Sequence, residues 1–179
     1  MVRKVVAYEL LSLDGVAEQP DEFVTDFDPV MRENLGRVIG TQDAVLLGRR
    51  TYDEWAAFWP TSSIEPFATF INGVEKFVMT SSTPKETWAN TKVIGGDLAD
   101  FVTKLKRQAG KDIGVHGSIA LTQSLLEQGL VDELRLVVAP AVHINGRKLF
   151  DGGLSSRLIL TRNITSPSGY LLLDFQIAG

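Results

Sequence analysis

The sequence predicts an α/β fold: three layers, with a mostly parallel central sheet flanked by helices and a C-terminal antiparallel hairpin. Three observations predict it. Strand-like apolar runs alternate with helical periodicities from Val2 to Pro140, an order that needs right-handed crossovers and a parallel sheet. Two of those runs, Val2–Leu11 and Asp43–Gly48, are apolar on both faces, as strands covered on both sides are. Finally, Arg157–Ile164 and Tyr170–Ile177 flank the turn Thr165-Ser166-Pro167-Ser168-Gly169, which makes a hairpin. No repeat, low-complexity tract or linker interrupts the order, so residues 1–179 are expected to be one domain.

The first strand ends in the turn signal Ser12-Leu13-Asp14-Gly15-Val16. A polar loop follows to about Phe27, with Pro20 and its acidic residues at the surface. Asp28 and Pro29 start a helix, proline at the first helical position, with Val30, Leu35, Val38 and Ile39 on its apolar face. After Asp43–Gly48 comes Arg49-Arg50-Thr51 and a second helix, in which Tyr52, Trp55, Ala56 and Trp59 recur at helical spacing. Thr51 and Glu54 read as a capping box and Pro60 as the stop. Thr61 to Gly73 reads as a loop with a short helical turn.

Lys76–Thr80 is a third strand, ending in Ser81-Ser82-Thr83-Pro84, and Thr91–Gly95 a fourth. Asp97 caps a helix with the stripe Leu98, Phe101, Val102 and Leu105. Its Lys104, Lys106 and Arg107 suit the negative end of the dipole, and Gly110 closes it. In Asp112–Gly129 an apolar run meets Gly114-Val115-His116-Gly117-Ser118, and a helix follows with Ser118 as N-cap and Gly129 as stop. Leu121 and Leu125, and Ile119 and Leu126, share its buried side. Asp132–Pro140 is a further strand, and Ala141–Gly153 a glycine-rich connection carrying Arg147, Lys148 and Phe150.

Composition narrows the function. With 44% hydrophobic and 22% charged residues the chain is an ordinary globular one, and its net charge of −4 gives no footprint for nucleic acid or acidic membranes. No apolar run is long enough for a membrane span, and MVRKVVAYEL leads into a strand without room for a signal peptide. A cytoplasmic location is therefore expected. The absence of cysteine removes thiol nucleophiles and thiolate metal sites. His116 and His143, the two histidines, stand in no metal-binding spacing, and no G-x-S-x-G elbow occurs. An enzyme of this composition would draw its chemistry from an organic cofactor.

In parallel sheets ligands bind beyond the carboxyl ends of the strands. Here those ends are Ser12–Val16, Gly48–Thr51, Thr80–Ser82 and Gly114–Ser118, all rich in glycine or hydroxyls. A glycine turn into a helix N-terminus suits a phosphate, although glycines also serve close packing. Arg49 and Arg50 stand where the helix dipole disfavours cations, so they read either as anion ligands or as a salt-bridged surface pair. Ser81 and Ser82 are ribose or phosphate contacts, or plain turn residues. His116 is a phosphate contact or a buried structural histidine, and Asp14 a proton donor or the aspartate of an Asp-Gly turn.

Taken together, Ser12-Leu13-Asp14-Gly15, Leu47-Gly48-Arg49-Arg50-Thr51-Tyr52 and Thr80-Ser81-Ser82 resemble the dihydrofolate reductase-like superfamily. So does the block from Gly114-Val115-His116-Gly117-Ser118 through Leu130-Val131-Asp132-Glu133-Leu134 to Pro140 and Gly146-Arg147-Lys148-Leu149-Phe150. Within the superfamily the chain is most similar to the reductase domain of the riboflavin-biosynthesis deaminase-reductase and its stand-alone relatives. The resemblance implies an NADPH-dependent reductase of a small heterocyclic substrate, a riboflavin-pathway aminopyrimidine or a pterin-like molecule, and a homodimer. It puts Gly48, Arg49, Arg50 and Thr51 at the phosphates, with an arginine near the 2′-phosphate. Ser81 and Ser82 flank the adenosine, Val115, His116, Gly117, Ser118 and Ile119 hold the pyrophosphate, and Gly114 belongs to the same cofactor-binding stretch. Asp14 lies in the loop over the nicotinamide and substrate, as the candidate proton donor. Dihydrofolate reductases carry Gly-Gly where this chain has His116-Gly117, and Glu33 is the nearest match to their acidic helix residue. The deaminase motifs H-x-E and C-x-x-C are absent. Two other classes remain open: a non-catalytic dinucleotide-binding protein on this scaffold, and an enzyme binding a flavin or nucleotide sugar at the same strand ends.

Overall fold

The strands are β1 (Val5–Leu11), β2 (Gln42–Gly48), β3 (Glu75–Met79), β4 (Thr91–Ile94), β5 (Asp112–His116), β6 (Glu133–Val138), β7 (Leu158–Thr165) and β8 (Leu171–Ile177). In a computed structural model, which describes residues 2–152 and 155–178, they form one sheet in the order β4-β3-β2-β5-β1-β6-β8-β7. From β4 to β6 all neighbours are parallel, and β8 joins β6 and β7 antiparallel. The expected architecture is the one observed. Gly153, the end of the predicted glycine-rich connection, lies outside the described residues.

The sheet is covered on both faces, as its continuous apolar strands require. Helices α1 (Pro29–Gly40), α2 (Arg49–Phe58) and α3 (Phe67–Gly73) pack on one face against Tyr8, Val45, Leu47, Val78 and Val137. On the other, α4 (Leu98–Arg107) and α5 (Ile119–Glu127) pack against Val5, Ala7, Leu46, Val115 and Leu134. Six of the seven residues of β1 are buried, Glu9 among them. Each fully buried Val or Leu contributes about 1.5–3 kcal/mol of transfer free energy, which explains why the middle strand carries so few polar groups.

The departures from expectation are local. α3 forms where the sequence reads as a loop with one turn, because Phe67, Ala68 and Ile71 are buried together. Its C-terminus is held by Lys76 of β3, fully buried, whose ammonium donates to the carbonyls of Ile71 (2.7 Å) and Val74 (3.0 Å) and lies 4.5 Å from the Trp88 ring. α2 does not stop sharply at Pro60; it passes into a 3-10 turn over Trp59–Thr61. α1 buries Met31 and Asn34 besides the expected Leu35, Val38 and Ile39. α4 ends before Gly110, while Asp97 caps it as expected, accepting from the Asp100 amide.

Candidate functional site

Because β3, β2, β5 and β1 are consecutive and parallel, their carboxyl ends lie along one rim. The chain positions that follow them are the four stretches singled out above. α2 leaves from the end of β2 on one face, α5 from the end of β5 on the other.

Two hydroxyls read as helix caps do something else. Thr51 is the third residue of α2, not its cap, and its Oγ1 donates to the Gly117 carbonyl at 3.2 Å. Ser118 makes no capping hydrogen bond to α5; its Oγ accepts the Gly48 amide at 3.1 Å. These bonds join the two strand–helix turns side by side. The capping box is thus corrected, while Ser118 stands at the N-cap position of α5 as expected but spends its hydroxyl across the rim, beyond the reach of a local pattern. α5 is left without a side-chain cap, and the amides of Ile119, Ala120 and Leu121 have no acceptor among the described residues. Such a helix start carries free donors and partial positive charge. Gly117, exposed and at φ 61°, needs glycine there: a Cβ would stand 2.9 Å from the Trp55 ring.

Beside this pair of turns lies an open depression of about 520 Å³ lined by Arg49, Arg50, Asp53, Glu54, Ser82 and Lys85. Arg49 Nε donates to Asp53 (2.7 Å), and its Nη1 donates to Ser82 Oγ (2.8 Å) and to the Ser82 carbonyl (3.2 Å). Asp53 also accepts the Lys85 amide at 3.2 Å. The Arg49 pairing and the Lys85 amide outweigh desolvation and hold its carboxyl below the usual range. Arg50 contacts Glu54 at 3.2 Å and Glu18 at 3.6 Å. Both arginines are ion-paired, then, and still face the depression. Thr80 and Ser82 form a hydroxyl turn, with the Ser82 amide on Thr80 Oγ1 at 3.1 Å, while Ser81 is exposed.

Other predicted residues lie below the rim. Gly114, Val115, His116, Ser118 and Ile119 are all buried. The His116 ring sits among Tyr8, Phe67 and Phe70, with Nε2 2.7 Å from Gln42 Oε1, and burial pushes its pKa down to about 3. It is a neutral core histidine, so a charged phosphate contact through its side chain is corrected. Gly114 makes room for this pair: a Cβ there would lie 2.1 Å from Gln42 Oε1. Glu33 is exposed on α1, away from the core face.

Asp14 is tied down. Its carboxylate accepts the amides of His143 and Ile144, both at 2.9 Å, and the Ser12 hydroxyl at 2.7 Å. The His143 amide foremost, then Ser12, keep its carboxyl far below the usual range. Such a group organises a loop; it does not hold a proton to give. Glu18 and Glu22 secure the same loop, through the Arg147 amide at 3.1 Å and His143 Nε2 at 3.0 Å. Sequence reasoning missed Glu18, Gln42 and Asp53, whose roles depend on partners distant in the chain; for Asp53 the i,i+4 spacing to Arg49 was the available signal.

Among the described residues no group of three or more His, Asp or Glu could hold a metal ion, and no helix is long and apolar enough to cross a membrane. The family model described as the RibD C-terminal domain matches residues 3–172. The chain belongs to the RibD C-terminal domain family. Among curated proteins it resembles two from Bacillus subtilis (strain 168), both described as uncharacterized. YyaP is 27% identical over 175 residues, covering 92% of this chain and 90% of YyaP. YwjB is 26% identical over 153 residues, covering 84% of each. Among solved structures, a putative riboflavin biosynthesis protein from Shewanella sp. PV-4 superposes with TM-score 0.80 at 16% identity over the whole of both chains. A pyrimidine reductase-like protein from Corynebacterium diphtheriae gives 0.73 at 16% identity, covering 99% of this chain and 92% of that one. The Thermotoga maritima diaminohydroxyphosphoribosylaminopyrimidine deaminase/5-amino-6-(5-phosphoribosylamino)uracil reductase gives 0.68 at 13% identity, covering 99% of this RibD C-terminal-type chain and 57% of that longer one. At such identities these likenesses establish the fold.

Proposed function

We propose that this protein is an NADPH-dependent reductase that transfers a hydride to a small heterocyclic substrate, a riboflavin-pathway aminopyrimidine or a pterin-like molecule. The observation that carries this is the pair of joined helix starts at the ends of β2 and β5, with free amides at Ile119–Leu121 and the Arg49–Ser82 pair beside them. A dinucleotide phosphate needs donors for a pyrophosphate and, some distance away, a cation with a hydroxyl for a 2′-phosphate; the residues present fit both needs. When bound, NADPH supplies the hydride.

The chain's own part is holding and enclosing. The amides that open α5, with Gly117 and Arg50, hold the pyrophosphate, and Arg49 and Ser82 take the 2′-phosphate. Asp14 fixes the 141–148 segment against the turn after β1, so that the two close over the reacting carbons and exclude water. The substrate sits on the α1–α3 side, beside the half-exposed Trp55 and Trp59. The protein is cytoplasmic in this proposal, and the exposed Ile159, Leu160, Ile164 and Leu171 of the terminal hairpin favour a homodimer.

The test has two stages. NADPH and NADH titrations followed by tryptophan fluorescence report binding; NADPH oxidation with pterins and with the pyrimidine intermediate of riboflavin synthesis reports catalysis. Absence of NADPH affinity at millimolar concentration ends the proposal.

A further inference from the structure

Glu18 follows β1 and Arg50 opens α2 after β2, while β5 lies between those two strands. Their contact, 3.6 Å between Oε1 and Nη1, therefore links the segments on either side of β5, whose end leads through Gly117 into α5. The carboxylate is held in that position by backbone. Its other oxygen accepts the Arg147 amide at 3.1 Å, and the amides of Ala17 and Glu18 donate to the Arg147 carbonyl at 2.9 and 3.3 Å. Gly146, at φ 110°, permits this approach, since a Cβ there would stand 2.9 Å from Val16. The Glu18 side chain is 25% exposed and that of Arg50 69%, so the acid is the anchored partner and the arginine the more solvent-exposed one.

We infer, resting on the dinucleotide proposal above, that Glu18 sets the affinity of the rim for phosphate-bearing ligands, its carboxylate occupying Arg50 where a ligand phosphate would. A phosphate entering between α5 and Arg50 must displace that carboxylate. Glu54, the other acid on Arg50, bonds Nε from within the same helix and keeps its contact while Nη1 changes partner. Glu18 in turn keeps the Arg147 amide after displacement, so the exchange costs the loop none of its backbone bonds.

The experiment measures inorganic pyrophosphate and NADPH binding by calorimetry on wild type, Glu18→Gln and Glu54→Gln, at low and high salt. Glutamine still accepts the Arg147 amide, and melting curves check that it does. Expected for Glu18→Gln is a tightening of both probes by about two- to fivefold at low salt, the range of an exposed ion pair, shrinking as salt screens it. Glu54→Gln removes the same charge from a contact that need not break and tightens binding less. In an Arg50→Gln background Glu18→Gln has no further effect. Equal tightening in the two single variants, or persistence of the gain without Arg50, overturns the role of Glu18 in favour of diffuse charge. NADPH binding to wild type with no gain in Glu18→Gln overturns it alone. A pyrophosphate gain in Glu18→Gln with no NADPH binding to any form supports Glu18 and ends the dinucleotide proposal, whereas no binding of either probe ends both.

Discussion

The Ser118 hydroxyl accepts the Gly48 amide at 3.1 Å, tying the end of β2 to the start of α5 although seventy residues of chain separate them. Ser118→Ala leaves that amide without a partner in a half-buried site. The expected loss is about 1–2 kcal/mol, seen as a fall of roughly 2–8 °C in the melting temperature of a chain this size. A variant as stable as wild type would show that the two turns keep their places without the bond.

Arg49 is clamped between Asp53 and Ser82. If it reads a 2′-phosphate, Arg49→Ala raises the NADPH dissociation constant about tenfold, the worth of one charge-assisted contact, and leaves that for NADH nearly unchanged. Equal effects on the two cofactors would remove the arginine from 2′-phosphate recognition. Arg50→Ala is expected to weaken both cofactors alike.

Asp14 accepts two amides and a hydroxyl. Its folded pKa is depressed, so what it contributes is complete above the unfolded value of about 3.9 and is lost only as pH falls through the lower folded one. Asp14→Asn should therefore speed proteolysis in the 141–148 segment. It should leave the shape of the pH–rate profile between about pH 5 and 8 intact, since the group does not titrate there. Loss of one limb of that profile would restore Asp14 as an acid.

Glu9 is buried against Thr122, whose hydroxyl donates to it at 3.0 Å, and burial raises its pKa to about 8. The sign is opposite to that of Asp14. Folding favours the protonated form, so stability is fullest below the unfolded pKa and is lost as pH climbs toward the folded one, with a slope of at most about 1.4 kcal/mol per pH unit. Glu9→Gln, neutral and of the same shape, should equal wild type near pH 4–5 and exceed it increasingly up to about pH 8. Parallel stability curves for the two proteins would mean that Glu9 is not strongly shifted.

At Gly114 an added methyl meets Gln42 Oε1 at 2.1 Å and His116 Nε2 at 2.8 Å. Gly114→Ala is expected to cost about 1–3 kcal/mol through overpacking. Gln42→Ala in the same chain should recover part of it, a coupling that urea titrations can measure in a double-mutant cycle. Additive losses would locate the clash elsewhere.

The alternation of strands and helices was legible because hydrophobic periodicity is local, and the four strand ends followed from it. α3 escaped because Phe67–Gly73 spans barely two turns, too short for a period to declare itself. Thr51 and Ser118 fitted cap patterns that look three residues ahead, while their real partners, Gly117 and Gly48, become neighbours only when β2 and β5 pair. For His116 both alternatives were visible in the sequence. The tie is broken by Gln42, an exposed-looking polar residue at a strand start that turns inward over a glycine.

β1 sits between β5 and β6, with Val5 beside Ile113 and Val6 beside Glu133. During synthesis it emerges long before either partner and must wait, its greasy edges bare, until β5 and β6 have left the ribosome. Distant pairing of this kind slows acquisition of the native state and leaves sticky surface open meanwhile. Expression at low temperature or with chaperones should raise the yield of properly assembled material.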